Sequence, residues 1–126
     1  MINSMNSAVL DNDQVSEDTL LEVRVRIRQP REGYRAAIDP VLLAAAVPAK
    51  PKQKVLDAGA GVGTVSLCLA ARVSGVAITA IEKNPILAAL AAENAALNSV
   101  KFDVVEGDIT ALPKEITPGT FDHVMA

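Results

Sequence analysis

The feature that most constrains this chain is a glycine-rich turn between a short apolar run and a helical segment. Gly59, Gly61 and Gly63 alternate directly after a run that ends at Asp57. Glycine lets a backbone bend sharply and approach a ligand closely, and the helix that follows offers free N–H groups at a positive dipole end. A carboxylate just ahead of the glycines would repel phosphate. The turn therefore predicts a ligand with a positively charged group.

After residue 50, apolar runs alternate with helical segments. We predict strands at Val55–Asp57, Val76–Glu82, Phe102–Glu106 and Phe121–Met125, and helices at Thr64–Val73 and at Pro85–Leu97 with Asn84 as its cap. Leu112–Gly119 is predicted to be irregular or a short helical turn. Strands that alternate with helices of about a dozen residues form parallel sheets with helices on their faces. The predicted fold class is α/β, a Rossmann-like parallel sheet with flanking helices, preceded by a β-hairpin.

The N-terminal part divides into a polar tail, residues 1–18, and a hairpin with a helix, residues 19–49. Apolar and charged residues alternate over Leu21–Arg28, which predicts a half-buried strand. A turn at Gln29–Gly33 and a returning strand at Tyr34–Ile38 would complete the hairpin. Asp39 is the predicted N-cap of a helix that has Pro40 at its first position and runs to Ala46.

Composition narrows the function classes. A chain of 126 residues that is 50% hydrophobic predicts one folded domain. Its net charge of −3 and 2% aromatic residues do not favour a strongly basic, base-stacking nucleic-acid binder. Cys68, the one cysteine, excludes an internal disulfide and is expected to be a small buried apolar residue. We predict no metal site.

Targeting signals are not recognisable in the sequence. Residues 1–10 lack a basic region followed by an apolar run, and no apolar stretch is long enough to span a bilayer. We therefore expect a cytoplasmic protein without a membrane partner.

Three acidic residues follow consecutive predicted strands: Asp57, Glu82 and Asp108. The carboxyl ends of parallel strands form the edge at which open α/β folds bind ligands. Glu82 could take both hydroxyls of a ribose, or could cap the next helix. Asp108 could accept a hydrogen bond from an exocyclic amine while Ile109 covers an adenine, or could simply belong to a turn. Together they predict an adenosine ligand.

Three segments resemble the motifs of class I S-adenosylmethionine-dependent methyltransferases: V-L-D-A-G-A-G-V-G-T (55–64), I-E-K-N (81–84) and E-G-D-I (106–109). The resemblance implies S-adenosylmethionine as cofactor, with the turn 59–63 around its methionine part and Asp57 near its amino group. It implies Glu82 at the ribose, and Asp108 with Ile109 at the adenine. The implied cofactor-binding residues are Asp57, Gly59, Ala60, Gly61, Gly63, Glu82, Lys83, Asp108 and Ile109.

The upstream segment G-Y-R-A-A-I-D-P-V-L-L-A-A-A (33–46) resembles the bacterial tRNA adenine-N6 methyltransferases and their relatives in the small-domain methyltransferase group. In that group an Asn/Asp-Pro-Pro-aromatic motif follows the fourth strand and grips the target amine. Here the sequence stops at Ala126, at the end of the fourth predicted strand, so we assign no catalytic residue. The resemblance implies that residues 50–126 are the cofactor-binding half of a methyltransferase that acts on an adenine in tRNA, and that this piece alone is inactive.

Two other interpretations remain open. A NAD(P)-binding domain of an oxidoreductase would share the glycine turn and Glu82, although Asp57 and the early third glycine disfavour it. A non-enzymatic module could instead self-associate through the fourth strand, whose unpaired edge invites pairing.

The basic residues concentrate upstream of the turn, at Arg24, Arg26, Arg28, Arg31 and Arg35. RNA phosphates could bind there, or the residues could form a solvated face. His123 is expected to have a structural role.

Overall fold

A parallel sheet with helices and a separate hairpin make up the described part of the chain. The computed structural model describes residues 10–22, 24–33 and 38–126. After a 3-10 turn at Asn12–Gln14, its elements are β1 (Val15–Leu20), β2 (Val25–Pro30), α1 (Ile38–Ala46), β3 (Lys54–Ala58), α2 (Thr64–Arg72), β4 (Ala77–Glu82), α3 (Pro85–Leu97), β5 (Asp103–Glu106) and β6 (His123–Met125). The four later strands are parallel in the order β5-β4-β3-β6, and β1 pairs with β2 antiparallel. The predicted fold class is confirmed.

The elements after residue 50 lie close to their predicted positions. Helix α3 has the predicted bounds, and the Asn84 side chain caps it by accepting the N–H groups of Ile86 at 2.9 Å and Leu87 at 3.3 Å. Helix α2 ends at Arg72, one residue early, and residues 112–119 contain neither helix nor strand, as predicted.

The predicted hairpin is wrong in its pairing. Strand β2 pairs with β1, which lies in the segment predicted to be a loose tail and its continuation. Leu21 and Glu22, predicted to begin a strand, have φ of 53° and 54° and belong to the turn between β1 and β2. The sequence of β1 is mostly polar and lacks the alternation of apolar residues that predicts a strand. It forms a strand because it pairs with β2. Residues 34–37 of the predicted returning strand lie outside the described residues, and Ile38 begins α1.

Helix α1 begins one residue before its predicted cap. Asp39 lies inside the first turn of α1 rather than at the N-cap position. A carboxylate in the first turn still interacts favourably with the positive end of the helix dipole. The helix ends at Ala46, ahead of Pro48, as predicted.

The two faces of the sheet have different neighbours. On one face, Val55 and Ile78 pack in the main core with buried residues of β2, α1 and α2. On the other face, Leu56 and Ile81 pack against Ile116 of the irregular segment between β5 and β6. Because α2 and α3 begin where β3 and β4 end, the two connecting turns lie side by side at the carboxyl edge of the sheet.

Within the described ranges, none of the helices is long and apolar enough to cross a bilayer.

Candidate functional site

A groove of about 470 Å³ opens at the carboxyl ends of β3 and β4. It is lined by the turn after β3, by Glu82 at the end of β4, by Leu87 of α3, and by Asp39 and Leu43 of α1. Its volume lies within the roughly 300–1,000 Å³ that is usual for small-molecule sites. The groove is therefore large enough for a small-molecule ligand.

A second groove, of about 520 Å³, lies at the opposite edge, where β3, β4 and β5 begin. Lys54, Lys101, Asp103 and Glu115 line it, and all four residues are exposed. The groove at the carboxyl edge is smaller, but it combines buried carboxylates with a glycine turn. We therefore take the carboxyl-edge groove as the candidate site.

The glycine turn is fixed by hydrogen bonds and by close packing. Gly59 donates its N–H to the Ile81 carbonyl at 2.9 Å, which ties the turn to β4. Gly61 and Gly63 have φ of 59° and 89°, in the left-handed region that favours glycine. A Cβ at Gly63 would lie 3.3 Å from the Phe102 ring, whereas a Cβ at Gly61 would meet no protein atom within 4 Å. Gly63 thus lets α2 start against the core, and Gly61 leaves open space beside the groove.

Glu82 is oriented by two backbone groups. Its Oε1 accepts the Gly61 N–H and its Oε2 accepts the Asn84 N–H, both at 2.8 Å. The residue is only 8% exposed. A carboxylate has about four lone-pair sites, so each oxygen can still accept one further hydrogen bond. Glu82 therefore both fixes the glycine turn and offers two acceptors of fixed orientation to a ligand.

Asp57 supports the start of α2. Gly63 is the N-cap of that helix and has no side chain, and Asp57 Oδ2 instead accepts the Ser66 hydroxyl at 2.6 Å. Burial raises the pKa of the Asp57 carboxyl, the charge of Glu82 adds a smaller increase, and the hydrogen bonds from Ser66 oppose both. A cation bound beside Asp57 would relieve this electrostatic strain.

Asp108, Ile109 and Lys83 do not line the groove. Asp108 is exposed, and its Oδ1 accepts the backbone N–H and the hydroxyl of Thr110 at 2.8 and 2.7 Å. These hydrogen bonds lower the pKa of Asp108, with a smaller contribution from the positive charge of Lys83. Ile109 is 47% exposed. The Gly107 N–H donates to the Glu82 carbonyl at 3.0 Å, so this segment begins beside the groove.

The structure thus brings five of the nine predicted residues into one groove: Asp57, Gly59, Ala60, Gly61 and Glu82. Gly63 lies immediately behind them at the start of α2. Sequence reasoning missed Ser66, whose position in a predicted helix gave no sign that it binds Asp57. It also gave Asp39 only a capping role, although Asp39 lines the groove.

The arginines upstream of the turn contact protein acceptors. The Arg26 guanidinium pairs with Glu17, and Arg28 pairs with Glu93 at 2.7 Å. Arg24 donates to the Ala71 carbonyl at 2.9 Å. Because these arginines already have partners within the protein, the contacts favour a solvated face over a binding site for RNA phosphates. Arg35 lies outside the described residues.

Two residues expected to be structural have structural contacts. Cys68 is 2% exposed in the main core, and burial raises its pKa to about 11. His123 is half-buried, with Nε2 2.9 Å from the Gln53 Oε1. The buried position expected for Cys68 is confirmed, and the structural role of His123 stays a prediction.

The family model of the methyltransferase small domain matches residues 36–126. The matched segment contains α1, the glycine turn and all four strands of the parallel sheet.

Two curated relatives differ in what they methylate. The chain is 40% identical over 68 residues to the tRNA1(Val) (adenine(37)-N6)-methyltransferase of Flavobacteriaceae bacterium strain 3519-10, a match that spans 54% of this chain and 29% of that protein. It is also 40% identical over 60 residues to the release factor glutamine methyltransferase of Deinococcus radiodurans, which spans 48% of this chain and 22% of that protein. The chain therefore matches less than a third of either relative.

A solved structure shares the fold over most of the chain. TYW2 of M. jannaschii, crystallised in complex with AdoMet, superposes with a TM-score of 0.72 at 18% identity, over 92% of this chain and 52% of that one.

Proposed function

The chain belongs to the methyltransferase small-domain family, and on that premise we propose that its carboxyl-edge groove binds S-adenosylmethionine for methyl transfer. The observation that carries the proposal is the pair of buried carboxylates, Asp57 and Glu82, on either side of a glycine turn that leaves open space beside them. When bound, S-adenosylmethionine supplies a methyl group activated by a sulfonium centre.

Glu82 is the residue that we propose for the ribose. Its two oxygens are already oriented by backbone N–H groups and retain lone pairs for two neighbouring hydroxyls. A buried, pre-oriented acceptor pair loses little conformational entropy when the ligand binds.

Asp57 is the residue that we propose for the positive end of the cofactor. The amino group of the methionine part would meet a carboxylate that burial otherwise disfavours in its ionised form. The methionine part would lie along the turn residues Gly59, Ala60 and Gly61. Gly63 would fix the position of this turn by letting α2 start against the core.

The adenine would lie beyond Glu82, towards the segment after β5. We propose that Asp108 accepts a hydrogen bond from the exocyclic amine, that Ile109 covers a ring face, and that Lys83 borders the site. The lowered pKa of Asp108 supports an acceptor role, since the carboxyl stays ionised. The exposed apolar surface of Ile109 supports a contact with a ring.

The substrate that we propose is an adenine amino group in tRNA, as the relative from Flavobacteriaceae suggests. The relative from Deinococcus favours a second candidate, a glutamine side chain of a protein. Incubation of the full-length protein with tritiated S-adenosylmethionine and either unmodified tRNA or a glutamine-containing release-factor peptide separates the two. Label in tRNA at the adenine amino group supports the first candidate, and label in the peptide alone contradicts it.

Cofactor choice is tested by titrating the chain in parallel with S-adenosylhomocysteine and with NADH. The proposal predicts saturable heat with S-adenosylhomocysteine and none with NADH. Saturable binding of NADH without a response to S-adenosylhomocysteine would instead support a NAD(P)-binding domain.

Self-association through β6 is a further proposal. Strand β6 lies at the end of the described sheet, and Val124 on it is 64% exposed. Open strand edges with apolar side chains invite pairing with another chain. Light scattering over a concentration series should show growth in mass, and a constant monomer mass would refute the proposal.

A further inference from the structure

Asn94 of α3 and Asn98, the C-cap residue that follows the helix, hold the hairpin by its backbone. Asn94 Oδ1 accepts the Arg28 N–H at 2.7 Å, and its Nδ2 donates to the Arg28 carbonyl at 2.9 Å. Asn98 makes the same pair of bonds to Arg26, at 2.8 and 2.6 Å. Each amide thus satisfies both backbone groups of one β2 residue.

The spacing of these bonds follows from helix and strand geometry. Four residues of a helix advance about 6 Å, and two residues of a strand advance about 6.6 Å. The side chains of Asn94 and of Asn98, four residues later at the C-cap of α3, can therefore meet alternate residues of β2. The two amides act as a substitute for a neighbouring strand along this edge of β2.

Asn94 makes one contact that Asn98 lacks. Its Nδ2 also donates to the Val62 carbonyl at 2.9 Å. Val62 lies between Gly61 and Gly63, at the centre of the glycine turn. The turn is therefore held at two adjacent residues, by Glu82 at the Gly61 N–H and by Asn94 at the Val62 carbonyl.

Asn94 is fully buried, with 0% exposure. Its amide uses one acceptor bond and both of its N–H groups, divided between β2 and the turn. A buried polar group that loses a partner incurs a desolvation penalty. If β2 or the turn moves away, Asn94 loses a partner, so each segment favours the position in which the other is held. Two segments that are far apart in sequence thus share one hydrogen-bonding group.

We propose that Asn94 is a positioning residue for the cofactor-binding turn and couples that turn to the hairpin. The inference rests on the proposed function, since it takes the groove as the S-adenosylmethionine site. A rigid hairpin keeps Asn94 in place, and Asn94 holds the Val62 carbonyl of the turn by a hydrogen bond. A bound cofactor in turn stabilises the hairpin, because coupling between sites is reciprocal.

The test compares Asn94→Ala with Asn98→Ala as a matched control. Both variants lose two bonds to β2. Asn94→Ala also loses the bond to the turn, whereas Asn98→Ala also loses the bond from its Nδ2 to the Asn94 carbonyl, at 2.7 Å. Hydrogen exchange without ligand should be faster at hairpin amides in both variants. It should be about tenfold faster at the Gly61 and Gly63 amides in Asn94→Ala than in Asn98→Ala, because only Asn94→Ala removes the bond to the turn directly. Equal exchange at these glycines in the two variants would overturn the proposal.

Ligand binding gives the second readout. Asn94→Ala should bind S-adenosylhomocysteine about tenfold more weakly than Asn98→Ala. Equal affinities would overturn the coupling. If the wild-type chain binds no S-adenosylhomocysteine, the proposed function fails, and the ligand-free exchange still decides whether Asn94 holds the turn.

The wild-type chain provides a measurement that does not depend on folding of a variant. Saturating S-adenosylhomocysteine should slow exchange of the Arg28 amide, whose acceptor is Asn94. An Arg28 amide that exchanges at the same rate with and without bound ligand would contradict the coupling.

Discussion

Asp57 and Glu82 are both buried, but they are held in different ways, and this determines what each contributes. Two backbone N–H groups fix the orientation of Glu82. Asp57 is held by Ser66, and burial dominates, so its pKa is raised above the usual value of 3.8. A buried carboxyl with a raised pKa destabilises the fold when it is ionised, and a cation bound beside it offsets this desolvation penalty.

Asp57→Asn should separate stability from binding. The pKa of Asp57 is higher in the folded than in the unfolded chain, so between 3.8 and that higher value the folded chain holds more protons. The contribution of Asp57 to the unfolding free energy therefore falls as pH rises through this window. The amide introduced by the substitution would keep an acceptor for the Ser66 hydroxyl without the charge, so urea titrations at pH 7 should show equal or higher stability for the variant.

Affinity should respond to pH in the opposite sense. Binding of S-adenosylhomocysteine to the wild-type chain should tighten as pH rises through the same window, because the ligand's ammonium group favours ionised Asp57. The variant should bind at least about tenfold more weakly at pH 7 and lack this pH dependence. A variant with wild-type affinity would refute the role proposed for Asp57.

At the scale of elements, α3 connects three parts of the molecule. Asn84 caps its start beside the groove, Leu87 lines the groove, and Asn94 and Asn98 hold β2 further along the helix. The helix therefore relates the position of the hairpin to the end of β4.

Loss of the Asn84 cap should destabilise the chain without changing the groove. Asn84→Ala removes the acceptor for the Ile86 and Leu87 N–H groups and should lower the unfolding free energy by about 1 kcal/mol in urea titration. Asn84→Ser keeps a capping oxygen and should lie close to wild type. The Asn84 backbone N–H to Glu82 remains in both variants, so affinity for S-adenosylhomocysteine should change by less than about twofold. Equal stability of the Ala and Ser variants would show that the cap contributes nothing.

How far the sequence predicts these elements depends on where their stabilising contacts come from. Strands β3 and β4 and helix α3 carry their signals locally, in apolar runs and in a cap. Strand β1 does not, since its polar sequence becomes a strand only through pairing with β2. The hydrogen bonds of Asn94 join residues far apart in sequence. In the sequence of a helix, Asn94 is only a polar residue, and nothing near it predicts these partners.

At the scale of the whole molecule, one thiol reports on the main core. Cys68 is 2% exposed and its pKa is raised to about 11. Reaction with a disulfide reagent requires a solvent-exposed thiolate, so Cys68 should react only when the core opens. Its labelling rate at pH 8 should rise with urea in parallel with unfolding measured by circular dichroism. Rapid labelling in the absence of urea would show that this part of the core is open in the folded chain.

We propose that the carboxyl-edge groove binds S-adenosylmethionine through Glu82. Calorimetric titration with S-adenosylhomocysteine tests it on three chains: wild type, Glu82→Gln and Glu106→Gln. Glu106 is the matched control, because it pairs with Glu82 in the sheet register, ends the neighbouring strand and is exposed.

A Gln at position 82 can accept only one of the two backbone N–H groups and offers one fewer acceptor to the ribose. We expect Glu82→Gln to bind at least about tenfold more weakly than wild type, and Glu106→Gln to bind within about twofold of it. Equal affinities for all three chains, or no saturable binding by the wild type, would contradict the claim.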